Sequence, residues 1–260
     1  RNVMTWDIEY QHEGRFFPLA GDWGDTLTNL MCMQHRVYIP EARMKCAVKT
    51  AASMNQVCPV QEYLSSCKGK TPYEGWNCLG KIFLGNDDPI ANKALQRVLI
   101  GAVARAMDPG CPMDWLPVLV GGQGVGKTAF VSNLAPSDFF VEMTAPLEKL
   151  ISEPYRMHRG WVVEFGEIDK YFAPRYSSDF KLLISTRVDQ VRRNYEEPTS
   201  MKRRFVILGT TNKSQFLVDA TGNRRFIPIE VGDSHVVPID ELKKHRDNIW
   251  AAAMDAYNAG

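Results

Sequence analysis

Residues 121–128 read Gly121-Gly122-Gln123-Gly124-Val125-Gly126-Lys127-Thr128, or GGQGVGKT. They follow an apolar run, Leu116–Val120, and precede a helix predicted over 128–134. The run fits G-x-x-x-x-G-K-[ST], and a strand before it with a helix after it is the setting in which that pattern binds phosphate. Glycines let the backbone wind closely around phosphate oxygens, so that several N–H groups point inward. The helix N-terminus adds its own partial positive charge. Residues 121–128 are therefore the predicted nucleotide-binding loop. Lys127 is expected to reach the β- and γ-phosphates, and Thr128 to hold a Mg²⁺ ion. The plainer alternative is a Gly-rich turn without a ligand.

Working outward, the composition narrows the classes. The chain has 260 residues, is 45% hydrophobic and carries a formal charge of +1. That length supports one sizeable core with an appended smaller piece. The charge excludes a uniformly basic surface, so any nucleic-acid site must be a local patch. Cys32, Cys46, Cys58, Cys67, Cys78 and Cys111 form no C-x-x-C pair, and the histidines form no H-x-x-x-H pair. A zinc site is not expected, and reduced thiols in the cytoplasm are. No apolar run approaches the ~18 residues of a membrane span, and no signal peptide is visible. The first residue is Arg1 rather than Met, which leads us to expect a fragment preceded by another domain.

Before the loop the pattern is mostly helical. Residues 1–20 fit a short hairpin or an extended arm. Asp22 is placed to cap a helix through about Gln34, and Val37–Ile39 reads as a short strand. Helices are predicted from Pro40 to about Met54, and over Val60–Ser66 after Pro59. Lys68–Trp76, with Gly69, Pro72 and Gly75, reads as a loop. In Pro89–Met107 the residues Ala91, Leu95, Val98, Leu99, Ala102, Val103 and Met107 recur at helical steps. From Leu116 strands and helices alternate, which argues for an α/β sheet. Buried strands are expected at Trp161–Phe165 and Phe205–Leu208. A third, Phe226–Val231, carries Pro228 and is expected at an edge. Helices are expected at Ser178–Arg187 and Pro238–Tyr257. The predicted domains are a mainly helical lead-in, 1–111, and a P-loop ATPase core, 112–260.

Further residues carry candidate chemistry. In P-loop enzymes a strand beside the P-loop strand ends in acids that hold Mg²⁺ and orient the attacking water. Glu164 and Glu167 fill that place, with Asp169 behind them, and Glu167 is favoured as the base because it lies past the strand's C-terminal end. The alternative is a salt-bridged Glu164 and a loop charge at Glu167. Asn212, after the Phe205–Leu208 strand, is placed to contact the γ-phosphate or to cap a turn. Arg224 and Arg225 follow a Gly-Asn turn and suit an arginine finger reaching across a subunit boundary, or are solvated surface residues. Arg192, Arg193, Lys202, Arg203 and Arg204 flank a turn predicted around residues 194–201. They form a positive spot suited to a single-stranded nucleic-acid backbone, or a salt-bridged, solvated hairpin.

Taken together, GGQGVGKT, WVVEFGEID, TRVDQVRRNY, GTTN and DATGNRRFIPIEV occur in an order and spacing that resemble the virulence-associated protein E family. Upstream, PVQEYL, LGNDDP and VARAMDPG extend the likeness over most of residues 55–232. Where that family usually shows Trp-Asp-Gly before LGNDDP, this chain reads CKGKTPYEGW. The resemblance implies an AAA+-like ATPase core of superfamily 3 helicase type behind a mainly helical domain. It also implies a homo-oligomeric ring, a hexamer first, and phage or mobile-island origin in a bacterial host, with a primase domain or partner as the candidate to precede Arg1. Carried over, Lys127 and Thr128 serve the nucleotide and Glu164 and Glu167 are the acidic pair. Asn212 is the sensor, Arg224 or Arg225 the finger, and the basic hairpin the element gripping single-stranded DNA. The function expected is an ATP-driven DNA helicase or replication-initiation motor. The alternative is a nucleotide-switched binding module for defence or interference that does not unwind DNA. A metabolic kinase is disfavoured, because no acceptor pocket or lid is legible.

Overall fold

The computed structural model describes every residue except 14, 20, 193–197, 215–222 and 233–234. The backbone divides into two compact units, Arg1–Pro59 and Val60–Gly260.

In the first unit β1 (Glu9–His12) pairs antiparallel with β2 (Arg15–Pro18), Tyr10 opposite Phe17, so the hairpin form of the two alternatives is observed. Helices α1 (Trp23–His35) and α2 (Glu41–Met54) follow and pack together. The strand expected over residues 37–39 does not form. Those residues join α1 to α2, and a strand needs a partner ladder that no described segment of this unit supplies. Reciprocal backbone bonds between residues 1–3 and Val57 close the unit.

The second unit begins with α3 (Pro59–Cys67), α4 (Leu79–Leu84) and α5 (Pro89–Met107). The expected loop over 68–76 ends in a 3-10 turn, Glu74–Cys78. Asp88 caps α5 by accepting from Ile90 N at 2.8 Å, with Pro89 at the first helical position. The predicted apolar face of α5 is buried from Ala91 to Val103, while Met107 at its end is exposed. That face packs on the strands that follow. The domain boundary therefore falls at 59/60 rather than near 112. An amphipathic helix buries its face against whatever sheet is nearest, and here that sheet is downstream in sequence.

The strands are β3 (Leu116–Val120), β4 (Phe140–Glu142), β5 (Val162–Phe165), β8 (Val206–Thr211) and β9 (Phe226–Glu230). They form one parallel sheet in the order β4-β5-β8-β3-β9, with β6 (Val188–Val191) and β7 (Thr199–Lys202) as a separate antiparallel pair. The α/β P-loop core expected from the sequence is the fold observed. Pro228 lies in edge strand β9, as expected. β5, the strand bearing the acids, is not beside the P-loop strand; β8 lies between them. β4 was not foreseen, because three residues give too short a pattern to read.

Helices cover both faces of the sheet. One face carries α5 and α6 (Lys127–Asn133), with α9 (Ile239–Ala259) packed on both. Buried Trp161 and Trp250 lie 4.2 Å apart there, and their indole N–H groups donate to Ala102 O and Leu134 O. The other face carries α7 (Leu147–Ser152) and α8 (Ser177–Ser185) over a cluster that includes Phe165, Phe172, Phe180 and Phe226. Alternate residues of β3, namely Leu116, Val118 and Val120, point into that cluster, as strand periodicity requires. Each such buried aromatic contributes on the order of 2–3 kcal/mol.

The β6–β7 pair is anchored by a buried ionic group. Asp189 of β6 accepts from Arg203 Nε at 2.7 Å and Arg203 Nη2 at 2.8 Å, and lies 2.9 Å from His158 Nε2. Arg203 and His158 also pack against Phe205. Burial alone would raise the Asp189 carboxyl, but the Arg203 and His158 bonds outweigh it and hold the group at about 2. Arg203, predicted as a nucleic-acid contact, is thus a structural residue with 1% of its surface exposed. Unfolded, Asp189 would titrate near 4, so its contribution is complete above about pH 4 and is lost as pH falls toward 2. Asp189→Asn should destabilise the fold by about 3–5 kcal/mol at pH 7, because Arg203 is left buried without its anion. It should also flatten the acid limb of stability. Chemical denaturation of both proteins from pH 7 to pH 2 measures both effects.

Candidate functional site

The P-loop leaves the C-terminal end of β3 and enters α6. Gly124 and Gly126 have φ of +84° and +95°, a backbone region natural to glycine. A Cβ on Gly126 would also stand 3.1 Å from Val237 Cβ. The loop thus takes a shape that its glycines permit, which is the context the motif required.

Two side chains leave the start of α6 in different directions. Lys127 is buried and donates to Gly121 O at 2.8 Å, Gly122 O at 2.6 Å and Asn212 Oδ1 at 2.8 Å. Burial lowers its pKa, and the nearby Glu164 charge only partly opposes this. Thr128 Oγ1 donates to Glu164 Oε1 at 2.8 Å. Thr210 Oγ1, from β8, donates to the same oxygen at 2.7 Å. Glu164 is fully buried, and its Oε2 has no hydrogen-bond partner among the described residues. Burial raises its pKa, against the two hydroxyl bonds that lower it. A buried, unpartnered carboxylate oxygen beside a threonine hydroxyl is a hard-oxygen donor set that fits Mg²⁺, an ion held by one or two carboxylates plus phosphate and water. Among the described residues there is no cluster of three or more His, Cys, Asp or Glu built to hold a metal.

Around this junction lies a cleft of about 650 Å³, within the usual range for small-molecule sites. Gln123, Gly124, Gly126, Lys127, Thr128 and Asn212 line it, as the sequence led us to expect. Glu167 lines it too, exposed and in a left-handed conformation at φ 48°. Gly121, Gly122 and Val125 belong to the loop without lining the cleft. Asn212 reaches this place because β8 sits between β3 and β5. Its strand end therefore opens between the P-loop and the acids.

Several cleft residues were not foreseen. Thr210 was legible only as part of GTTN; its role depends on β8 lying beside β5, which no local pattern reveals. Glu142 ends β4 opposite Glu164 in the strand register and adds negative charge. Thr144 and Lys170 also line the cleft.

The remaining candidates stand elsewhere. Arg224 and Arg225 precede β9, whose register with β3 sets Phe226 opposite Leu116 and Glu230 opposite Val120. They therefore lie at the N-terminal edge of the sheet, a strand length of roughly 16 Å from the edge bearing the P-loop. Arg224 is exposed, and half-buried Arg225 donates from Nε to Ser185 Oγ at 3.1 Å. Among the predicted DNA contacts, Arg192 and Lys202 are exposed at the β6–β7 pair. Arg204 is half-buried and donates to Ala106 O at 3.3 Å, a correction to its expected surface role. Arg193 lies outside the described residues. Among the described residues no helix is long and apolar enough to cross a membrane.

The fold is similar to solved structures of the C-terminal region of NrS-1. An apo structure aligns over 97% of this chain and 64% of that chain, with a TM-score of 0.60 and 12% identity. An A-form apo structure aligns over 73% of this chain and 47% of that one, with a TM-score of 0.53 and 11% identity. The chain thus spans about half to two thirds of the length of those relatives. At these identities the likeness is one of fold. No curated protein matches the chain in sequence. The model of the virulence-associated protein E-like domain matches residues 64–260, well over half of the chain, and the chain belongs to that family.

Proposed function

We propose that this chain is an ATP-hydrolysing motor that acts on single-stranded DNA as a homo-oligomeric ring, in the replication of a phage or mobile element. The observation that carries the reading is the meeting of four groups from three segments at one cleft, with Lys127, Thr128 and Asn212 in its lining and Glu164 buried behind Thr128. Lys127 and Thr128 come from the P-loop, Glu164 from β5 and Asn212 from β8. Lys127 would meet the β- and γ-phosphates, exchanging its carbonyl partners for anions that favour its charged form. Thr128 and Glu164 would hold Mg²⁺, which when bound neutralises charge developing on the phosphates. Glu167, exposed in the cleft and free of the buried junction, would draw a proton from the attacking water. Asn212, already within hydrogen-bond reach of Lys127, would contact the γ-phosphate.

Arg224 and Arg225 support the ring part of the reading by where they are. A strand length from their own P-loop, they are too far to serve it, and Arg224 is exposed to a neighbouring copy. The β6–β7 pair stands at the same edge of the sheet, because residues 203–205 lead from β7 directly into β8. Its exposed Arg192 and Lys202 would track a phosphate backbone without sequence preference.

The alternative, a nucleotide-switched binding module that does not unwind DNA, gains from one observation. Burial of Arg203 and partial burial of Arg204 leave fewer exposed cations at the hairpin than the sequence led us to expect.

ATP turnover measured with and without single-stranded DNA separates the two readings. We expect stimulation by DNA at low salt that weakens as salt rises. No stimulation and no DNA binding would leave the switch reading. Lys127→Ala should abolish turnover with Tm unchanged within a few degrees.

Arg224→Ala with Arg225→Ala should lower turnover by about 10³-fold if one of them is a finger. Mixed with Lys127→Ala chains, that double variant should regain activity, since some interfaces would then combine an intact P-loop with an intact arginine pair. Failure of the mixture to recover would refute a finger acting between subunits.

A further inference from the structure

We propose that Asp169 is a positioning residue that ties the turn bearing Glu167 to the strand end bearing Asn212. It would thereby set the separation between the group that activates water and the group that meets the terminal phosphate. The inference rests on the ATP-hydrolysis reading above.

Both Asp169 oxygens are engaged by residues that flank Asn212. Oδ1 accepts from Thr211 Oγ1 at 2.8 Å, and Oδ2 pairs with Lys213 Nζ at 2.6 Å. Thr211 Oγ1 in turn accepts from Lys213 N at 3.1 Å, which closes a three-residue ring of bonds. Asp169 is also absent from the residues that line the cleft. What it does have is a hold on each side of Asn212.

At its other end the turn is equally constrained. Glu167 has φ 48° and ψ 50°, a left-handed conformation that an L residue keeps only where its surroundings over-determine it. Lys170 N donates to Glu167 O at 3.1 Å and closes the turn. Ile168, Tyr171 and Phe172 are buried and root the turn in the core. Asp169 is the member of this turn that bonds sideways, across to β8. Without it, the turn would keep its root but lose its register against Asn212.

The Lys213 side chain is 68% exposed, so its ion pair with Asp169 contributes little to stability. A large effect of Lys213 on turnover would therefore report alignment rather than folding.

The test is a double-mutant cycle on the 260-residue chain, read by single-turnover release of labelled phosphate, by binding of a fluorescent ATP analogue and by Tm. Asp169→Ala and Lys213→Met should each lower the hydrolysis rate by about tenfold or more while analogue affinity stays within about twofold. In a Glu167→Gln background the same substitutions should cost almost nothing, since they act through Glu167. Equal losses in both backgrounds would overturn the proposal, as would an unchanged rate in the wild-type background. Should Asp169→Ala fail to fold, Lys213→Met alone decides by the same comparison. A wild-type chain that binds the analogue but never hydrolyses ATP overturns the ATPase reading and this inference together. Wild-type turnover that Asp169→Ala and Lys213→Met leave unchanged overturns this inference alone.

Discussion

A carboxylate sealed from water is costly unless donors are brought to it. Glu164 is such a group, and the rest of the site follows from how it is satisfied. One oxygen takes the hydroxyl of Thr128 and that of Thr210. These donors come from the P-loop helix and from β8, so three segments far apart in sequence must converge for the charge to be tolerated. Convergence at this point ties the start of the P-loop helix, β5 and the end of β8 to one another. The second oxygen, left without a partner, gives the junction its fit to a divalent cation.

The sheet order serves the same constraint. With β8 between β3 and β5, one polar strand end stands beside both the phosphate loop and the acids. Asn212 thereby meets Lys127 while Thr210 meets Glu164, one side chain to each side of the same strand end. Had the acid strand lain beside the P-loop strand, as the motif alone led us to expect, that meeting would have had no third member. The opposite edge of the sheet gathers the arginines before β9 and the β6–β7 pair, and so separates the cleft from the surfaces proposed to meet a neighbouring subunit or DNA.

The Asp189–Arg203–His158 group shows how charge misleads when read along the chain. Five cations close together in sequence read as one basic surface. In the structure Arg203 turns inward to a carboxylate, and Arg204 is partly covered. Sequence shows charge density; it does not show which way a side chain turns at the base of a hairpin. That depends on Asp189 facing inward from the partner strand and on Phe205 offering a ring for the guanidinium to lie on.

Local rules were enough to specify much of this protein. The glycines and Lys127-Thr128 of the P-loop, the capped and periodic α5, the apolar runs of β3, β5 and β8 and the edge proline of β9 each carry their meaning within a few residues. So does the placement of Glu167 just past a buried strand, because a strand's end is readable from the strand. The tertiary structure alone decided that β8 separates β3 from β5 and that Thr210 completes the Glu164 junction. It alone decided that α5 belongs to the same unit as the sheet rather than to that of α1 and α2, and that Arg203 is part of the core. Each of these depends on which elements become neighbours. Strand order, packing partners and the burial of a charge are long-range consequences of covering one sheet on both faces, and no window of adjacent residues contains them.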